Sequence, residues 1–245
     1  MPNANVTFLK LDLTSLQSVK EAADAFNARS GRLDILLNNA GIMATPYSAT
    51  KDGYEIQFGT NHMGHALLTK LVLPTLLRTA EESGSDVRVV NLSSTGHQMA
   101  VMSGGLILDQ SKAQSHNTWA RYGSAKLANI LHVRGLQEHY PQLTCVACHP
   151  GVINTNLFTT FKQTVKHIAP LRWILDLFSK VFMRTPREGA RNQLWCCTAP
   201  KQEVRKGYYY MPVGKRNAGF WYAKDQKEVD RLWNYTEEEL KRLGY

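Results

Sequence analysis

The stretch Asp34-Ile-Leu-Leu-Asn-Asn-Ala-Gly41 decides how the rest of the sequence reads. A short apolar run that ends in two amides and a glycine predicts a buried strand with a sharp turn at its tip. Two more stretches repeat the design: DVRVVNLSS at 86–94 and LTCVACHPG at 143–151. Between them lie YEIQFGTNHMGHALLTKLVLPTLLRTA (54–80) and WARYGSAKLANILHVRGLQEHY (119–140), both long enough and periodic enough for helices.

The pattern extends in both directions. VTFLKLDL (6–13) is strand-like, and LQSVKEAADAFNAR (16–29) is helical, with Thr14 or Ser15 placed to cap it. Downstream, 187–197 reads as a helix, GYYYMPVG (207–214) as a strand and 224–243 as a final helix. Apolar strands alternating with helices predict βαβ units and a parallel sheet covered on both faces. The expected fold class is therefore α/β, a Rossmann-like doubly wound parallel sheet. No Pro-, Gly- or Ser-rich linker divides the chain, so a single domain over 1–245 is expected.

Composition narrows the function. The 245 residues carry 29 Lys+Arg against 20 Asp+Glu, a formal charge of +9. The densest basic cluster is Lys201, Arg205, Lys206, Lys215 and Arg216, and no nucleic-acid-binding motif accompanies it. A solvated face, or a general attraction for a phosphorylated cofactor, accounts for the charge, and no nucleic-acid partner is expected. There is no basic-then-apolar leader and no run of 18 apolar residues, so an intracellular, cytoplasmic setting is expected. Cys145 and Cys148 fall on one predicted strand, three apart, and so on opposite faces; they read as buried small hydrophobes, not as a metal or redox pair. His62, His65, His97 and His149 give no closed ligand set, and no metal is expected.

Ligands of open parallel sheets bind beyond the carboxyl ends of the strands. Three strands ending in polar residues therefore point to one site. Tyr122-Gly-Ser-Ala-Lys126 sets a phenol and an ammonium one helical turn apart. An ammonium beside a phenol favours phenolate, which suits proton exchange with an alcohol or carbonyl. Tyr47-Ser-Ala-Thr-Lys51 repeats the spacing, but it runs into the turn dipeptide Asp52-Gly53 and lies on no long apolar helix. It reads as a decoy.

Taken together, these residues resemble the short-chain dehydrogenase/reductase family, near its retinol-dehydrogenase-like group and fungal relatives. Asn38-Asn39-Ala40-Gly41 matches the family's NNAG, Asn61 its tetrad Asn, Ser94 its catalytic Ser, and Tyr122 with Lys126 its YxxxK. Pro150-Gly151-Val152 with Thr155 matches the PG motif, and Asp12 matches the acidic residue that contacts adenine. The resemblance implies hydride transfer between a nicotinamide cofactor, NADP with NAD as the alternative, and an alcohol or carbonyl. It implies Tyr122 as general acid/base and Ser94 as hydrogen-bond donor to the reacting oxygen. Lys126 would hold the ribose, and Asn61 a relay water. Cofactor contacts are implied for Asp12, Asn39, Ala40, Gly41, Tyr122, Lys126, Pro150, Gly151, Val152 and Thr155. Residues 156–185, rich in Phe and Leu and carrying Trp173, stand where the family places its substrate lid; a hydrophobic substrate is expected, with membrane-surface contact of this segment and a homo-oligomer as further options.

The pattern departs from the family at its start. No G-x-G occurs among the 17 glycines. Run 6–13 matches the family's third strand, so its first two strands and helices have no counterpart here. In the order 3-2-1-4, strands about 4.8 Å apart leave a gap of about 14 Å between run 6–13 and run 34–40. Run 6–13 must then dangle, pair directly with 34–40, or be completed by another chain. A catalytically inactive relative with an interaction or regulatory role is the alternative reading.

Overall fold

A computed structural model describes residues 4–151, 185–217 and 219–245. Five strands form one sheet in the order β1 (Ile35–Asn38), β2 (Arg88–Leu92), β3 (Thr144–Cys148), β4 (Tyr209–Tyr210), β5 (Arg216–Asn217). The first four run parallel and β5 is antiparallel to β4. β2 and β3 are buried along their whole length, which is why they read as unbroken apolar runs.

Helices α1 (Leu16–Arg29), α2 (Ile56–Phe58), α3 (Gly64–Glu81), α4 (Thr118–His139), α5 (Pro186–Thr198), α6 (Trp221–Lys224) and α7 (Gln226–Arg242) complete the frame. A π-helical turn, Gly59–Met63, joins α2 to α3, so the predicted 54–80 helix is one continuous rod with a widened turn. Ser15 caps α1 through its hydroxyl, as expected. The final helix is broken at Asp225, whose carboxylate caps α7.

The alternation of β3 separates two cores. Cys145 and Ala147 face α1, α3, α4 and α7, together with Val89, Leu67, Leu127 and Leu232. Val146 and Cys148 face α5, together with Val90, Leu92, Cys196 and Cys197. Helices therefore cover both faces, and all four cysteines are free and buried.

Two expectations fail. Run 6–13 is not the strand its residues suggest; it dangles, one of the three outcomes left open to it, since residues 4–12 form no regular element and Val6 and Phe8 are 85% and 86% exposed. The reason is the absence of a neighbour; no strand among the described residues pairs with the outer edge of β1, where Ile35 and Leu37 remain 39% exposed. Only from Leu13 onward does the chain join the core. The predicted 207–214 strand shrinks to two residues because Met211 turns at Pro212 into the β4–β5 hairpin.

Candidate active site

Beyond the carboxyl end of β2 the chain meets the middle of α4. Ser93 Oγ donates to the Lys126 carbonyl at 2.7 Å. The Leu92 carbonyl accepts from Lys126 Nζ at 3.2 Å and from Asn129 Nδ2 at 2.8 Å. Three bonds thus fix the register of α4 on the strand tip and place Tyr122 and Lys126 over it.

Ser94 caps the 3-10 helix Thr95–Ser103: its Oγ accepts from Gly96 N–H at 3.0 Å. The same hydroxyl lies on the Tyr122 side of the turn and pulls the phenol's proton affinity down. Gly96 allows this approach, because a Cβ there would lie 2.5 Å from Tyr122 Cε1 and 3.3 Å from Ser94 Oγ. Tyr122 and Lys126 are both buried, and the Lys126 ammonium lies 5.9 Å from the phenol ring centre.

Asn61 enters from the π-turn. Its amide clasps one residue twice, accepting from Ile42 N–H at 2.8 Å and donating to Ile42 O at 3.0 Å. This folds the loop after β1 back over α4. A Cβ on Gly41 would meet Asn61 Oδ1 at 2.7 Å and Lys126 Nζ at 3.2 Å, so amide and ammonium flank the same bare backbone. That glycine cradle, with a buried cation beside it, fits a polar ribose face. Asn39 and Ala40 are exposed at the tip of β1. Among the described residues no Gly-rich turn fits a pyrophosphate.

Burial governs the proton chemistry. It pushes the Lys126 ammonium down to about 8. It pushes the Tyr122 phenol above its ordinary value, against the pull of the Ser94 hydrogen bond. The sequence expectation that Lys126 lowers the phenol does not describe this balance: desolvation of the ring is the larger influence. Beneath the site His62, His65 and His132 are buried and held below the usual imidazole range by desolvation first, then by nearby positive charge.

Of the other sequence candidates, Pro150 and Gly151 follow β3 at the same sheet end, Gly151 in the left-handed region at φ 97°. Val152, Thr155 and the lid stretch to residue 184 lie outside the described residues. Asp12 belongs to a local turn: its carboxylate accepts from Thr14 N–H and Oγ1 and pairs with Lys51 at 3.3 Å. Its contacts among the described residues do not reach the cluster. Of the two Tyr-x-x-x-Lys stretches, Tyr47 is 41% exposed with Arg121 5.6 Å over its ring, whereas the buried Tyr122 ring lies across Gly96 from Ser94. Sequence reading missed Asn129, one turn from Lys126, whose i+3 spacing was the available signal. It also missed the buried Arg121–Glu55 pair at 3.2 Å, which no local spacing announces.

Residues 2–166 match the protein family described as short chain dehydrogenase. Short-chain dehydrogenase/reductase drtF of Aspergillus calidoustus is 36% identical over 98% of this chain and 79% of its own. Retinol dehydrogenase 12 of Homo sapiens is 37% identical over 96% of this chain and 69% of its own. A crystal structure of an uncharacterised protein from Mycobacterium Paratuberculosis superposes with a TM-score of 0.66 at 31% identity, covering 94% of this chain and 74% of that one. The Brucella melitensis 3-ketoacyl-(acyl-carrier-protein) reductase, solved with NADH, gives 0.56 at 20% identity over 82% and 74%, a likeness of fold.

Proposed function

The chain belongs to the short chain dehydrogenase family of NAD(P)-dependent oxidoreductases, and from that premise we propose that it interconverts a hydrophobic alcohol and its carbonyl compound with NADP(H). The observation that carries this reading is the convergence of Ser94, Tyr122, Lys126 and Asn61 at one sheet end. NADP is preferred over NAD on the likeness to retinol-dehydrogenase-like proteins.

Lys126 and the Gly41 cradle would hold the nicotinamide riboside end. A nicotinamide bound there supplies or accepts the hydride. Tyr122 Oη gives a proton to the carbonyl oxygen in reduction and takes it back in oxidation. Ser94 Oγ, on the Tyr122 side of its turn, donates a hydrogen bond to that same oxygen. Lys126, near 8, exchanges protons readily around neutral pH. Asn61 fixes the Ile42 loop that closes the site and supports the water that relays protons to Lys126. In this reading 1–245 is one domain and 156–185 its substrate lid. Among the described residues no helix is long and apolar enough to cross a membrane.

One assay decides. Absorbance at 340 nm is followed with NADPH or NADH and a series of aliphatic and aromatic aldehydes. NADPH consumption that rises with aldehyde chain length and is lost in Tyr122→Phe supports the proposed reaction. No consumption at millimolar NADPH overturns it.

A further inference from the structure

His97 makes two hydrogen bonds in opposite directions. Its Nδ1 lies 2.6 Å from the carbonyl of Ser94, and its Nε2 lies 3.0 Å from the backbone nitrogen of Phe220. The Phe220 N–H can only donate, so Nε2 is the acceptor. The Ser94 carbonyl can only accept, so Nδ1 carries the proton. Both partners therefore demand one neutral tautomer. The ring is 2% exposed and meets the Tyr209 ring edge-on at 5.3 Å.

The two partners come from distant parts of the chain. Ser94 lies two residues beyond β2 and caps the 3-10 helix; Phe220 follows the β4–β5 hairpin and opens α6. Gly219, at φ 69°, lets the second strand of backbone come close: a Cβ there would lie 3.4 Å from His97 Nε2 and 2.8 Å from Ala223 Cβ. The Phe220 and Trp221 rings lie tilted at 32° with centres 3.8 Å apart, and Trp221 is 56% exposed. One imidazole thus spans the gap between the turn that holds Ser94 and a segment bearing two aromatic rings.

We infer that His97 is a positioning residue: through its Nδ1–H it fixes the backbone of Ser94, and through Nε2 it ties the Phe220–Trp221 segment to the same turn. The inference deepens the proposed reaction and rests on it for its kinetic arm, but the clasp itself is physical and is read separately. The two ends can be cut one at a time. Asn at 97 reproduces the Nδ1 donor and not the Nε2 acceptor; Gln places an acceptor near Nε2 and loses the Nδ1 donor; Phe keeps the ring and loses both.

The experiment uses the full chain as wild type, His97→Asn, His97→Gln and His97→Phe. Amide hydrogen exchange reads the Phe220 end, imidazole 15N shifts of the wild type read the tautomer, and aldehyde reduction with NADPH reads the Ser94 end. Loss of Phe220 protection by about tenfold, the value of one ordinary hydrogen bond, is expected in Asn and Phe, with recovery in Gln. Turnover is expected to fall by about tenfold or more in Gln and Phe, with recovery in Asn. The wild-type ring should show a protonated Nδ1 and a bare Nε2. Unchanged Phe220 protection in His97→Phe, or the opposite tautomer, overturns the clasp. Equal turnover in all four proteins overturns the positioning role. If the wild type reduces no aldehyde, the proposed reaction fails while exchange and 15N shifts still decide the clasp.

Discussion

Gly96 faces the Tyr122 ring so closely that a methyl group at position 96 would sit 2.5 Å from Cε1. Nothing short of moving the ring or the Ser94 turn can accommodate it. Gly96→Ala should therefore lower turnover on the order of 100-fold, the effect of misplacing a reacting group by about 1 Å. Its cost in stability should be only about 1–3 kcal/mol, the ordinary range for overpacking. Steady-state kinetics alongside urea unfolding separate the two; wild-type turnover in a folded Gly96→Ala would show that the ring position is immaterial.

Tyr122→Phe keeps the ring and its packing and removes the transferable proton. Turnover should drop by about 10²–10⁴, the usual contribution of a positioned acid/base, while NADPH affinity from calorimetry stays nearly unchanged. Tyr47→Phe should leave both within experimental error, because that ring is exposed beneath Arg121.

Lys126 makes the native protein less stable when it is charged. Its folded value is about 8, against an ordinary 10.5. Between those pH values the unfolded chain binds the extra proton, so stability rises with pH across that window. Below about 8 the native state carries the full penalty of a buried ammonium, on the order of 3 kcal/mol. Lys126→Met should accordingly be more stable than wild type at pH 7, with the gap closing toward pH 10, while turnover is lost. A variant less stable at pH 7 would refute the sign.

Arg121 and Glu55 form an ion pair with side chains only 6% and 2% exposed. Glu55 also accepts from Gln57 and Phe58 N–H, and burial raises its carboxyl above the usual range. Removing the cation alone leaves a buried carboxylate, so Arg121→Met should cost about 3–5 kcal/mol in urea unfolding. A loss below about 1 kcal/mol would mean that water reaches Glu55 readily.

Sequence patterning revealed the parts of the fold that local rules control. β1, β2 and β3 appear as apolar runs with polar tips because buried parallel strands need both. α1 appears because periodicity and an N-cap coincide. Run 6–13 is strand-like too, yet forms no strand; apolar content makes a segment eligible for a sheet, and pairing needs a neighbour. At the site, Tyr122 and Lys126 stood out by residue type and spacing, and Ser94 through the family resemblance. Long-range contacts such as His97 to Phe220 were hidden. The balance at Tyr122 was hidden too, since desolvation depends on what packs over a ring and leaves no trace in spacing.

The division of the cysteines between the two faces of β3 gives the molecule a pair of built-in clocks. All four thiols are shut away from solvent, and burial pushes Cys145 up to about 12 and Cys197 up to about 11. An alkylating reagent can reach them only when the structure opens. Cys145 becomes reactive when the α1/α3/α4/α7 layer lifts, whereas Cys148, Cys196 and Cys197 report the α5 layer. Labelling rates mapped residue by residue would therefore show whether the two layers come away from the sheet together or one before the other.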